Sequence, residues 1–241
     1  MKTPLPDIEI LSIYKKNGTR ILLPKRMAKC TPDTKKALLA IGEAVKERGG
    51  RLYLSDLFRS YDMQLQSHLD WKSGRKTAFS PPPGGSLHEA GRSCDLDLKS
   101  LDMPLAEFWP IAREAGMFPI ISKPDAGKDE AWHFDCRGSH QKVYEYYKAG
   151  KGTNMKAYTA MAASGILAIG VKVDQFGNRQ AAAAIQAGLI RLGHELGNLD
   201  GSIGAKTRAA LESAGITAAD ESAILSEIED RLQREFPGEY A

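Results

Sequence analysis

Two short stretches alternate apolar and polar residues with a period of two, and they constrain the fold of this chain more than any other feature. In residues 92–98, Cys94, Leu96 and Leu98 fall on one side of an extended strand, and Asp95 and Asp97 on the other. In residues 131–136, Trp132, Phe134 and Cys136 fall on one side, and His133 and Asp135 on the other. Successive side chains of a strand point to opposite faces. Both segments therefore predict strands with one face for a core and one polar face. A sheet built from them brings carboxylates and an imidazole together.

The remaining elements follow from punctuation and periodicity. Residues 8–14 and 19–23 read as extended segments within a stretch that mixes Pro, Lys and short apolar runs. Thr31-Pro-Asp-Thr opens a helix, with Thr31 as cap and Pro32 at its first position. Leu38, Leu39, Ile41 and Val45 give that helix an apolar face, and Gly49-Gly50 ends it. Residues 51–59 predict a strand with Leu52, Leu54 and Leu57 inward. Helices are expected over 60–72, 104–116 and 139–149. Ser80-Pro-Pro-Pro-Gly-Gly-Ser86 can only be a loop, because its prolines and glycines break both regular ladders.

Residues 151–154 read as a linker. From about residue 157 alanine becomes dense and aromatics almost vanish. Helices are expected over 181–192, 205–214 and 218–235, joined by glycine turns. A chain of 241 residues has room for two domains. The expected fold class is an α+β domain over residues 1–152, with a small antiparallel sheet carrying the polar site. A separate, small, three-helix domain is expected over residues 157–241.

Composition removes several classes of function. The net charge is +3 and no basic stripe stands out, so no nucleic-acid partner is expected. No run approaches the ~20 apolar residues that span a bilayer. The N-terminal Met1-Lys-Thr-Pro-Leu-Pro-Asp has no apolar h-region, so it reads as no secretory signal. Either another route releases the protein, or a signal has been removed from it, or it works inside the cell. Three cysteines, Cys30, Cys94 and Cys136, suggest buried thiols and no disulfide framework.

The polar faces carry the chemistry. His88, just before the first strand, joins Asp95 and His133 in a set of two imidazoles and one carboxylate. Such a set suits zinc and leaves a position open for water. His88 and Asp95 are seven residues apart, so strand parity alone places them on opposite faces, and the turn at Gly91 must reorient the chain. Asp97 competes with Asp95 as the ligand. Glu130, three residues before His133, can serve as a base beside such a site. His68, His140 and His194 read as packing or solvated residues, and Asp97 and Asp135 as residues that orient ligands.

Ser86-Leu-His88-Glu-Ala-Gly91-Arg-Ser-Cys-Asp95 resembles the SxHxxGxxxD signature of the zinc D-alanyl-D-alanine carboxypeptidase and L-alanyl-D-glutamate peptidase family. Glu130-Ala-Trp132-His133 resembles the second signature of that family, ExWH, and Phe58-Arg59-Ser60-Tyr61 its YRS segment. The three lie in family order across roughly residues 50–137. Ser93 departs from the frequent Ala, and Phe58 from the frequent Tyr. The resemblance implies one zinc per chain on His88, Asp95 and His133, with that spacing favouring Asp95 over Asp97. It also implies Glu130 as catalytic base, Arg59 as the residue that steadies the substrate carbonyl and its developing oxyanion, and Ser86 as a secondary substrate contact.

Gln186, Leu189, Leu192 and Gly193, followed by Asp200-Gly-Ser-Ile-Gly204-Ala-Lys-Thr207, resemble the small three-helix peptidoglycan-binding domain. The combined expectation is a monomeric zinc peptidase of endolysin type that cuts peptidoglycan stems, between L-Ala and D-Glu, and binds the wall through its second domain. The alternatives are a D-alanyl-D-alanine carboxypeptidase or dipeptidase, a non-catalytic wall-binding module with a degenerate zinc site, and a hydrolase using Cys94 or Cys136. A helical docking domain for a protein partner is the alternative for the second domain.

Overall fold

Asn17 and Gly18 both adopt left-handed backbone angles, φ 51° and 79°. Two such residues in succession make the tight turn that matches the twist of paired strands. They join β1 (Leu11–Lys16) to β2 (Thr19–Leu22) in an antiparallel hairpin, with Lys16 opposite Thr19. The computed structural model describes residues 2–241. The chain divides into two compact units, one of residues 5–80 and 87–138, the other of residues 2–4, 81–86 and 139–241.

The first unit is α+β. After the hairpin come α1 (Pro32–Glu47), β3 (Leu54–Asp56), α2 (Tyr61–Lys72), β4 (Ser93–Leu96), α3 (Leu105–Glu114), β5 (Met117–Pro119) and β6 (His133–Cys136). The strands form one six-stranded sheet in the order β2-β1-β3-β4-β6-β5. It is mixed, where the sequence suggested an antiparallel sheet. β3 runs parallel to β1 and antiparallel to β4. The parallel pair is possible because the connection through β2 and α1 is long enough for a crossover. Only three residues of the expected strand 51–59 enter the sheet, and β5 was not anticipated.

Ala37, Leu38, Ile41 and Val45 of α1 are buried. Leu39 is exposed, one residue and ~100° around the helix from Leu38. Thr31 stands at the cap position, but its hydroxyl donates to Asp33 Oδ1 at 2.6 Å, and the same oxygen accepts from Thr34 N at 3.0 Å. Phe108 of α3 meets Phe134 of β6 edge-on, with ring centroids 5.2 Å apart. Cys94, Leu96, Phe134 and Cys136 join α1 and α3 in one apolar core. The opposite face of β4 and β6 is left to polar residues.

The second unit holds α4 (Gln141–Lys148), α5 (Ala157–Ala168), α6 (Gln180–Arg191), α7 (Ala205–Ser213) and α8 (Glu221–Glu235). The last three occupy the segments where three helices were expected. Two more pack with them, so the described residues of the unit form five α-helices. α5 is buried without interruption from Ala160 to Leu167, as a helix apolar on all sides must be. α4 lies on α5 and α6 and groups with the helical unit, which takes residues 139–241. Residues 151–154 are no free linker. Asn154 Nδ2 donates to the Leu199 carbonyl, Thr153 N donates to Asn198 Oδ1, and Gly152 sits against the Tyr147 ring. Asp220 caps α8, accepting from Ala223 N at 2.9 Å. No helix among the described residues is long and apolar enough to cross a membrane.

Candidate metal centre

Residues Leu87–Ala90 make a 3-10 turn that ends on Gly91, with φ +63°. A Cβ on Gly91 would come within 2.9 Å of the Cys30 Cα and 2.6 Å of Leu5 Cδ1. Glycine is the residue type that fits both the angle and the space. The turn removes the parity conflict, because His88 lies outside β4 and is not bound by its alternation. In the β4–β6 ladder Asp95 faces His133 and Ser93 faces Asp135. All four side chains therefore share one face of the sheet, and Cys94 and Phe134 share the other.

His88 Nε2 lies 3.4 Å from Asp95 Oδ1, and His133 Nδ1 lies 2.9 Å from the same oxygen. One donor atom from each residue falls within 4.8 Å of the others. This buried group can hold a metal ion.

The donor set is oriented for that use. His88 Nδ1 lies 2.7 Å from the Leu57 carbonyl. A carbonyl only accepts, so Nδ1 carries a proton and Nε2 is the nitrogen that faces Asp95. His133 Nε2 lies 2.9 Å from Asp135 Oδ1, which turns Nδ1 toward Asp95. Histidines that bind metals are held by such partners on their second nitrogen.

Electrostatics point the same way. Burial works against a charge on His133, but Asp135 and Asp95 outweigh it and push its pKa up to about 10. Burial likewise opposes the charge on Asp95, yet His88 and His133 hold its carboxyl well below the usual range.

Glu130 stands at the edge of this group. Its Oε2 is 3.9 Å from His133 Nδ1, and its backbone is left-handed, φ 64°, in the turn that precedes β6. Such an angle is uncommon for a residue with a Cβ and is often found where geometry serves function. Burial raises the pKa of the Glu130 carboxyl, partly opposed by His133.

Arg59 is buried, and each of its side-chain nitrogens is engaged. Nε donates to Asp56 Oδ2 at 2.6 Å, Nη1 to Gln64 Oε1 at 3.2 Å, and Nη2 to Asp95 Oδ2 at 3.3 Å. Burial disfavours its charge, but Asp56 and Asp95 more than restore it.

Asp97 turns away and pairs with Arg20 at 3.1 Å, so it neither replaces Asp95 nor orients a ligand. Ser86 is buried and belongs to the segment 81–86 that groups with the helical unit. Cys30, Cys94 and Cys136 are free, buried thiols. Burial pushes Cys30 and Cys136 up to about 12 and Cys94 well above the usual thiol range, the setting of an inert structural thiol. Nor is His140 solvated: it is buried, with Nδ1 2.9 Å from Ser164 Oγ. The Leu57 carbonyl, Asp56, Gln64 and Ser93 complete the surroundings of the site. Of these, the sequence singled out only Ser93, as a departure from the resemblance; Asp56 stands three positions before Arg59, at the end of β3.

Compared with known proteins, the chain matches no protein-family model, and no curated protein sequence is significantly similar to it.

Proposed function

We propose that this protein is a zinc-dependent peptidase acting on the peptide stems of peptidoglycan, with the L-alanyl-D-glutamate bond as its substrate. The observation that carries the reading is the convergence of His88, Asp95 and His133 with Glu130 and Arg59 beside them. Two imidazoles and one carboxylate fit zinc and leave room for water and a substrate oxygen. A zinc ion there supplies Lewis-acid polarisation of the scissile carbonyl and acidifies water.

The residues of the chain do the rest. Glu130, with its raised pKa, takes a proton from the attacking water and passes it to the leaving amine. Arg59, a permanent cation in a buried setting, faces the negative charge that develops on the carbonyl oxygen. Its three partners hold the guanidinium in place before substrate arrives. Ser86 is assigned a secondary substrate contact. The assignment to peptidoglycan rests on the three motifs and their order.

The helical unit is assigned to wall binding. Gln186 is buried and organises its loop: Oε1 accepts from Asp200 N and Gly201 N, and Nε2 donates to Asp200 Oδ1 and the Ser202 carbonyl. Beside that loop opens a cavity of about 490 Å³, lined among others by Asn198, Asp200, Ser202 and Lys206. Tethering an enzyme to an insoluble substrate raises its local concentration there.

Digestion of purified peptidoglycan, with the new termini identified by mass spectrometry, tests the reading. A free L-Ala carboxyl terminus supports it. Released D-Ala would assign a carboxypeptidase instead, and a digest with no new termini would leave the chain a binding module.

A further inference from the structure

Ser93 is fully buried, two residues before the ligand Asp95 on the same short strand. Its hydroxyl donates to Asp135 Oδ1 at 2.6 Å. That oxygen is the one that accepts from His133 Nε2 at 2.9 Å. The other oxygen of Asp135 faces Arg137 Nε at 3.7 Å, so both short bonds fall on Oδ1. Ser93 and Asp135 are facing partners in the β4–β6 ladder, as are Asp95 and His133. Strand β4 thus carries one metal ligand and also the group that braces the partner of another.

We propose that Ser93 is a positioning residue of the metal centre. Its hydroxyl fixes the Asp135 carboxylate, and Asp135 in turn fixes the tautomer and ring orientation of His133, so that Nδ1 points at the ion. The proposal rests on the reading of His88, Asp95 and His133 as a metal site. The geometry favours this role over simple packing. A hydroxyl at a fully buried position is tolerated only with a partner. A short bond to a carboxylate is the strong kind. Without it, the oxygen of Asp135 that accepts from His133 loses its short bond to Ser93, and the support behind the His133 ring is weakened.

The test uses the full chain and zinc itself. Zinc affinity is measured by competition with a chelator for wild type, Ser93→Ala, Asp135→Asn and the double variant. Cobalt-substituted samples report the ligand geometry by their visible absorption. Ser93→Ala is expected to weaken zinc binding about tenfold or more, the usual effect of losing such a partner, and to shift the cobalt bands. Ser93→Thr, which keeps the hydroxyl, restores affinity.

If Ser93 acts through Asp135, adding Ser93→Ala to Asp135→Asn weakens binding no further. Fully additive losses, or an unchanged zinc affinity and cobalt spectrum in Ser93→Ala, overturn the proposal. Should Ser93→Ala fail to fold, the isosteric pair Ser93→Thr and Ser93→Val gives the same contrast, and equal affinities in that pair overturn it. A wild-type chain that takes up no metal overturns the centre and this role together. A wild-type chain that binds zinc, with Ser93→Ala unaffected, overturns only the role.

Discussion

Glu130 Oε2 lies 3.9 Å from His133 Nδ1, near the ligand atoms yet outside the group that can hold the ion. On the proposed function, that placement gives Glu130 a part in catalysis and none in holding the metal. Glu130→Gln is expected to lower peptidoglycan cleavage by ~10²-fold or more. Its zinc content should remain about one ion per chain by elemental analysis. Retained activity would deny Glu130 the role of base, and lost zinc would make it a ligand.

Arg59→Lys is expected to lower kcat by ~10²–10³-fold, as for loss of an oxyanion donor. An ammonium cannot reach Asp56, Gln64 and Asp95 with separate nitrogens as the guanidinium does. Steady-state kinetics on a soluble stem peptide decide this, and near-normal turnover would leave Arg59 a structural residue.

The pKa of His133 is raised from its ordinary 6.5 to about 10. A group whose pKa is raised by folding stabilises the folded chain fully below its unfolded pKa, and that contribution is lost as pH rises through the folded value. Zinc-free protein is therefore expected to lose thermal stability between about pH 7 and 10. Zinc binding displaces the proton, so apparent affinity should rise about tenfold per pH unit over that window. Melting curves recorded with a chelator and zinc titrations at several pH values check both signs. A flat melting profile and pH-independent affinity would contradict the arrangement.

Gly91→Ala puts a Cβ at φ +63° within 2.9 Å of the Cys30 Cα. The strain is on the order of 1–3 kcal/mol, and relieving it moves His88 away from Asp95. Both the melting temperature and the zinc affinity should fall. An alanine variant that melts and binds zinc like wild type would mean that the turn does not set the ligand geometry.

A fragment ending at residue 138 is expected to stay soluble better than one ending at residue 152. The longer fragment carries α4, whose Val143, Tyr146 and Tyr147 are buried in the intact helical unit. Soluble yields of the two, made side by side, test the position of the boundary.

The strands of the site were legible because alternation is a local signal. Asp95 and Asp97 looked equivalent, and the difference between them is tertiary, since Arg20 lies 77 positions away in the chain. The hairpin was hidden behind a mixed composition, although Asn17-Gly18 is a strong turn signal in itself. Lys151-Gly-Thr-Asn154 reads as a linker in composition, while its backbone and side chains bind a loop 45 positions later. The Leu57 carbonyl beside His88 left no trace, because a main-chain oxygen has no letter of its own.

The facing of Asp95 and His133 across β4 and β6 has a kinetic consequence. These ligands are 38 positions apart, and an open loop of that length must close before they meet. No stretch of the unfolded chain presents all three donors locally, so tight metal capture must follow the pairing of these strands. If the ion is the zinc proposed here, its uptake during refolding would serve as a clock for that pairing, and bound ion would slow the parting of the strands more than their closure.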